Sequence, residues 1–181
     1  MFNESNTVEA FTRDLVKSIG WTFVDRDTLP RQQQDVLVES HLREALVRLN
    51  PTIAERPERA DEVLSRLRAA IMTVRDTGLV KANEEFAAWL LGERSMPFGG
   101  NGEHVTIRLI DFDTLKNNRF VVTQQVTFRA GKTEKRADIV LLINGMPLVV
   151  IEAKTPVRSS ESWLDGALQI NEDYEKNIPE L

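Results

Sequence analysis

Two acids and one amine interrupt the most apolar part of this chain. Ala137-Asp138-Ile139-Val140-Leu141-Leu142-Ile143 is followed by Pro147-Leu148-Val149-Val150-Ile151-Glu152-Ala153-Lys154. A carboxylate is costly to bury unpaired, so Asp138 and Glu152 need a cation or a metal ion as partner. Glu152 and Lys154 are two residues apart and share one face of a strand. Carboxylate oxygens suit Mg²⁺, which takes one or two of them and keeps several waters. A metal so held polarises a phosphodiester oxygen and acidifies a bound water. Lys154 can position that water or stabilise charge developing at phosphorus. The competing reading is a structural salt bridge between Lys154 and an acid at a strand end, because E-x-K alone is a weak motif.

Register decides whether the three groups meet. Asn144-Gly145 between the two apolar runs signals a hairpin. A two-residue loop pairs Ile143 with Met146 and hence Asp138 with Ile151, which sends the acids to opposite faces. A three-residue loop, Asn144-Gly145-Met146, pairs Ile143 with Pro147 and sets Asp138 opposite Glu152. The expectation is therefore a connection of odd length; a two-residue turn without a compensating bulge defeats the site. Both strands, 136–143 and 146–153, are apolar on both faces, which predicts central strands covered on each side.

The elements that must position this hairpin read as follows. Val8, Phe11, Leu15 and Ile19 have helical spacing, stopped by Gly20, with Asn6 and Glu9 in a capping-box arrangement. Further helices are expected over 34–50, 58–76 and 83–91, closed by Asn50-Pro51, Thr77-Gly78 and Gly92. Strands are expected over 104–112 and 119–129. A last helix over 162–176 is expected to bury Trp163, Ala167, Ile170 and Tyr174. This order gives an α/β (α+β) class with one layered core, organised as a single domain over 1–181 with a helical insertion at about 32–92.

Composition excludes more than it assigns. The 181 residues are 41% hydrophobic and 28% charged, ordinary for a globular chain. No apolar run approaches bilayer length, and the N-terminus has no signal-peptide pattern, so no membrane partner is expected. Cysteine is absent, which removes disulfides and thiolate chemistry and suits a cytoplasmic protein. A net charge of −5 argues against a module that grips nucleic acid unaided. Yet Arg129, Lys132, Lys135, Arg136, Lys154 and Arg158 crowd the last third, as a DNA-facing patch or as a solvated strand edge. His41 and His104 lack ligand-spaced partners. Gly99-Gly100-Asn101-Gly102 lacks the lysine of a phosphate loop, so no nucleotide site is expected in this chain.

The D…E-x-K hairpin resembles the active-site signature of the PD-(D/E)xK nucleases. A longer set of motifs is similar to one branch of them. It comprises Glu9…Gly20-Trp21, Leu29-Pro30-Arg31, Leu49-Asn50-Pro51, Asn83-Glu84-Glu85-Phe86, Ile110-Asp111-Phe112, Asn144-Gly145-Met146-Pro147-Leu148 and Glu152-Ala153-Lys154-Thr155-Pro156. Together these resemble the N-terminal region of the restriction subunit of type I restriction enzymes, over nearly the whole chain. The resemblance implies a restriction-endonuclease-like core: a central mixed sheet with an antiparallel hairpin, flanked by helices. It implies that Asp138 and Glu152 bind Mg²⁺, or Mn²⁺ in its place, with the Ala153 backbone carbonyl as a further ligand and Lys154 as a catalytic group. It also draws Glu9 toward the metal, a role compatible with its capping-box position.

Nucleases of this kind often carry a glutamine and a tyrosine four apart on the next helix. Here Gln169 and Tyr174 are five apart and diverge by about 140° on a regular α-helix. Either a π-bulge realigns them or only one serves, Gln169 facing DNA and Tyr174 the core. Ala137 stands where the family has proline. The implied activity is hydrolysis of duplex DNA, with Gln169, Arg136, Lys135, Arg158 and, as an alternative to its core role, Tyr174 as DNA contacts. The family couples this to an ATP-dependent translocase elsewhere in the same subunit, and to modification and specificity subunits. ATP therefore belongs to motor domains that this sequence lacks. The chain reads as a fragment that alone cleaves weakly or not at all. The alternative is a catalytically silent nuclease-like module that docks DNA or partner subunits.

Overall fold

A computed structural model describes residues 8–154 and 163–181. The expected Asn6 cap, Thr155-Pro156 and Arg158 lie outside the described residues. In chain order the helices are α1 (Ala10–Ser18), α2 (Glu39–Leu49), α3 (Pro51–Ala54), α4 (Arg59–Met72), α5 (Val74–Thr77), α6 (Leu79–Leu90) and α7 (Trp163–Leu168). The strands are β1 (Thr22–Phe23), β2 (Ser95–Met96), β3 (Val105–Thr106), β4 (Phe120–Ala130), β5 (Thr133–Ile143) and β6 (Met146–Ile151). They divide between two compact units, one formed by the stretch ending at Val38 with Phe120–Pro179, the other by Glu39–Arg119.

The first unit is a four-stranded mixed sheet in the order β1-β4-β5-β6. β1, not foreseen in the sequence, runs parallel to β4 through Thr22↔Val121 and Phe23↔Val122. Two apolar clusters cover the sheet's faces. Leu29, Val38, Val121, Val126, Phe128, Ala137, Val140, Leu142, Tyr174 and Ile178 form one; Val16, Val122 and Ile139 form the other. Of the two apolar strands, only β5 is central. β6 is an edge within the described sheet, and Val149 is accordingly 45% exposed.

Three further expectations change in this unit. The α1 stripe is reversed: Phe11, Leu15 and Ile19 face solvent while Glu9 and Val16 are buried. Val16 packs with Val122 and Ile139, and Arg13 lies over the Phe23 ring at 5.5 Å, so this face lies on the sheet. The helix expected from residue 34 begins at Glu39, because the preceding backbone is already bonded elsewhere. Gln33 accepts from Arg129 N–H at 2.8 Å, and Val38 N–H donates to Gly145 at 2.8 Å. In the last helix Ala167 is exposed and Ile170 is 37% exposed, since α7 continues as a π-helix, Gln169–Glu175, which changes the phase of the buried face. The side chain of Trp163 lies outside the described set.

The second unit is helical, with α2 packed on α4 and α4 on α6. Leu42, Leu46, Leu64 and Leu67 are fully buried. Most of the resembled motifs here hold the chain together. Asn50, buried at the start of α3, donates to Leu46 and Arg108 carbonyls and accepts from Arg108 N–H, all within 2.8–2.9 Å. Asp111 accepts from Asp113 N–H, Thr114 N–H and Asn117 Nδ2, and these donors hold its carboxyl below the usual range, Asn117 foremost. These side-chain bonds replace a strand partner, so the strand expected over 104–112 is confined to β3, paired with β2. Glu85 takes both Arg94 Nε at 3.0 Å and Nη2 at 2.5 Å.

Candidate active site

The β5–β6 hairpin turns on two residues, not three. Asn144 and Gly145 both have positive φ, 52° and 87°, the type I′ combination whose twist suits adjoining strands. Ile143 pairs with Met146 and Leu142 with Pro147. On that register alone the acids would diverge. A β-bulge follows: the next pairs are Leu141↔Val149, Val140↔Val150 and Ile139↔Ile151, leaving Leu148 as the extra residue. One step further, the shifted register sets Glu152 across from Asp138. The odd count that the site requires is met by a bulge inside β6 instead of by the loop.

The opposite side of Asp138 is irregular too. In β4, Gln125 has φ 55°, a left-handed conformation uncommon for a side chain with a Cβ and out of place within a strand. The ladder is paired at Gln124↔Ile139 and Val126↔Ala137 but not between Gln125 and Asp138. Alternation changes phase there: Val121 shares its cluster with Val126 and Phe128, not with residues an even number away. The Gln125 carbonyl accepts from Arg26 Nη1 at 3.1 Å. Its side-chain amide donates to Glu9 Oε2 at 2.9 Å and to Asp138 Oδ1 at 3.1 Å. The other Asp138 oxygen accepts from Ala153 N–H at 2.9 Å. Thus Glu9, buried at the start of the chain's first helix, is tied to Asp138 through one glutamine.

Glu152 is gripped from the π-helix. Gln169 Nε2 donates to Glu152 Oε2 at 3.0 Å, and the Tyr174 hydroxyl donates to Glu152 Oε1. Residues five apart align on a π-helix because its bonds run i to i+5, so the spacing that separates the pair on an α-helix unites them here. Tyr174 is both a core residue and a contact to the site. Lys154 donates from Nζ to Gln169 Oε1 at 2.7 Å; its bond goes to an amide, not to a carboxylate as a structural salt bridge requires. α7 passes close over this lysine: a methyl group on Gly166 would stand 3.7 Å from Lys154 Cγ.

Electrostatics single out Glu152. Burial, above all, pushes its carboxyl above the ordinary glutamate range, and the neighbouring Asp138 adds to the rise, while the Tyr174 hydroxyl and the Lys154 charge oppose it. A carboxylate raised by burial and by a neighbouring acid is a group that gains from a cation. Among the described residues, however, no three carboxylates or histidines converge closely enough to hold an ion as a group. Gln125 stands between Glu9 and Asp138.

Beside this arrangement, the segment before α2 lies along the free part of β4. Arg31 donates to the Asp35, Thr127 and Gln33 carbonyls and lies over Phe128 at 4.5 Å. A cleft of about 700 Å³ opens there, lined by Arg26, Arg31 and Arg136 with Gln33, Thr127 and two acids. Arg136 thus faces the cleft, whereas Gln169 sits among the acids. Lys135 pairs with Phe128 across the strands. Gln125 and Arg26 were not foreseen; the readable signal was the polar pair Gln124-Gln125 inside an apolar strand.

Over residues 1–181 the sequence matches the family model of the type I restriction enzyme R protein N terminus. It is 36% identical over 193 residues to the type I restriction enzyme HindI endonuclease subunit of Haemophilus influenzae, covering 100% of this chain and 17% of that protein. A protein named as the MjaIXP endonuclease subunit, from Methanocaldococcus jannaschii, is 24% identical over 99% of this chain and 18% of its own length. The chain therefore spans less than a fifth of these relatives. No solved structure matches it.

Proposed function

Because the chain belongs to the family of type I restriction enzyme R protein N termini, we propose that it is a metal-dependent endonuclease domain of the PD-(D/E)xK kind, acting on duplex DNA. The observation that carries this reading is the opposition of Asp138 and Glu152 with Lys154 beside them, produced by a bulge that serves no other visible purpose. The donor set fits Mg²⁺ or Mn²⁺: hard carboxylate oxygens whose mutual repulsion a divalent ion relieves. Asp138, Glu152 and the Ala153 carbonyl would hold it, with Glu9 near by. Bound there, the ion supplies polarisation of a phosphoryl oxygen and acidification of a water.

The chain's own groups do the rest. Lys154 offers hydrogen bonds to the attacking water or to the phosphoryl oxygens as their charge grows. Gln169 holds the Lys154 ammonium and one Glu152 oxygen in a fixed relation, and Tyr174 fixes the other oxygen. Arg136, with Arg26 and Arg31 along the cleft, meets the phosphate backbone, with Lys135 on the same strand, and Gln169 meets the DNA from its place among the acids. In the longer subunit this domain works with an ATP-driven translocase and with modification and specificity subunits, in the cytoplasm. Among the described residues no helix is long and apolar enough to cross a membrane.

The test is Mg²⁺-dependent cleavage of duplex DNA by the full-length subunit assembled with its partners, comparing wild type with Glu152→Ala and Lys154→Ala. Cleavage by the variants at the wild-type rate would end the proposal. A second reading, a silent docking module, is favoured by the lack of a three-acid group among the described residues. Calorimetry with Mn²⁺ on wild type and Asp138→Asn separates the two, since a docking module binds no ion that the substitution removes.

A further inference from the structure

We propose that Gln125 is a positioning residue that readies Glu9 and Asp138 for a divalent cation, an inference that rests on the metal-dependent reading of this site. Its backbone is the first ground. A non-glycine residue with φ 55° in the middle of an eleven-residue strand is held in a sparsely populated region, and such strain persists only where the surroundings enforce it. The surroundings do so here: Arg26 grips its carbonyl at 3.1 Å, and its side chain is fixed at 2.9 and 3.1 Å to two carboxylates.

The chemistry of the amide is the second ground. A primary amide has two N–H bonds, and Gln125 directs its donors to one oxygen of each acid. It thereby holds two carboxylates from different elements near each other without adding a positive charge. A lysine or arginine in its place would neutralise the acids and compete with a metal ion. Glutamine leaves both charges available. The left-handed turn also sets the phase of β4, so that the side chain meets Asp138 while Val126 and Phe128 return to the core. Strain, face reversal and the double contact belong to one residue.

The experiment is Mn²⁺ calorimetry on the 181-residue chain with Gln125→Met, which keeps side-chain length and loses both donors. Gln125→Gly accompanies it, because glycine relaxes the left-handed backbone and keeps the test open if the methionine variant fails to fold. Wild type and Asp138→Asn are run alongside, and each variant's melting is recorded first. Groups that orient metal ligands commonly contribute ten- to a hundredfold in metal affinity, so folded Gln125→Met and Gln125→Gly should bind Mn²⁺ about that much more weakly. Wild-type affinity in both variants, with binding lost in Asp138→Asn, would overturn the role of Gln125 and leave the metal site standing. Absence of Mn²⁺ binding by wild type would overturn both.

Discussion

The helical unit and the sheet unit use polar side chains in opposite ways. In the helical unit Asn50 and Asp111 satisfy backbone groups and close turns, with every contact local to its own fold. In the sheet unit Glu9, Gln125, Asp138, Glu152, Lys154, Gln169 and Tyr174 bond chiefly to one another, drawn from the start of one helix, two strands, the segment after β6 and a π-helix. The regular structure of the sheet unit is broken at three places: the left-handed Gln125, the bulge at Leu148 and the π-helix. The first and the last touch the acids, and the bulge sets the register that brings the acids opposite each other. The contrast teaches that polar residues spent on backbone groups mark architecture, whereas polar residues spent on each other, beside broken secondary structure, mark chemistry.

Substitutions sharpen this comparison. On the proposed function, the largest effect is expected for Glu152→Ala and Lys154→Ala, which should lower DNA cleavage by the full-length protein by about a hundred- to a thousandfold or more. Next come two single-residue deletions in the same strand. Removing Leu148 erases the bulge but keeps Asp138 opposite Glu152, so Mn²⁺ binding should persist. Removing Val150 with the bulge retained at Leu148 slips Glu152 to a position opposite Ile139 and should abolish binding. Equal outcomes for the two deletions would break the register account.

In the helical unit, Asn50→Ala should cost about 2–3 kcal/mol in denaturant unfolding, since three hydrogen bonds of a buried side chain go unmade, with metal affinity unchanged where the chain is folded. A change in affinity there would erase the distinction between the units. The smallest effect concerns pH. Glu152 holds its proton more tightly folded than unfolded. Its contribution to stability is therefore full below the ordinary carboxylate range and is lost as pH rises through the elevated folded value. Melting of the metal-free chain should fall across that interval, and Glu152→Gln should flatten the fall.

Much of this was legible in residue patterns. The helical order, the strand pair around Asn144-Gly145 and the D…E-x-K grouping follow from periodicity and burial cost. What stayed hidden depended on non-repeating backbone. The requirement for an odd count between Asp138 and Glu152 was readable, but a turn and a bulge meet it equally well, and the alternation of apolar residues does not distinguish them. The α1 stripe misled because Phe11, Leu15 and Ile19 have helical spacing without being the face that meets the sheet; Glu9, an acid, is on that face. β1 is two residues long and leaves no periodic trace. The polar pair Gln124-Gln125 interrupts an apolar strand, but nothing in the letters announces a positive φ at the second of them.

The π-helix carries a consequence for comparing relatives by alignment. One residue more than an α-helix needs separates Gln169 from Tyr174, yet both still reach Glu152. An insertion in this segment is thus absorbed locally as a wider coil, without displacing the chain downstream of it. Homologues whose glutamine and tyrosine differ in spacing by one can share the same three-way contact, and a search that demands fixed spacing will discard them.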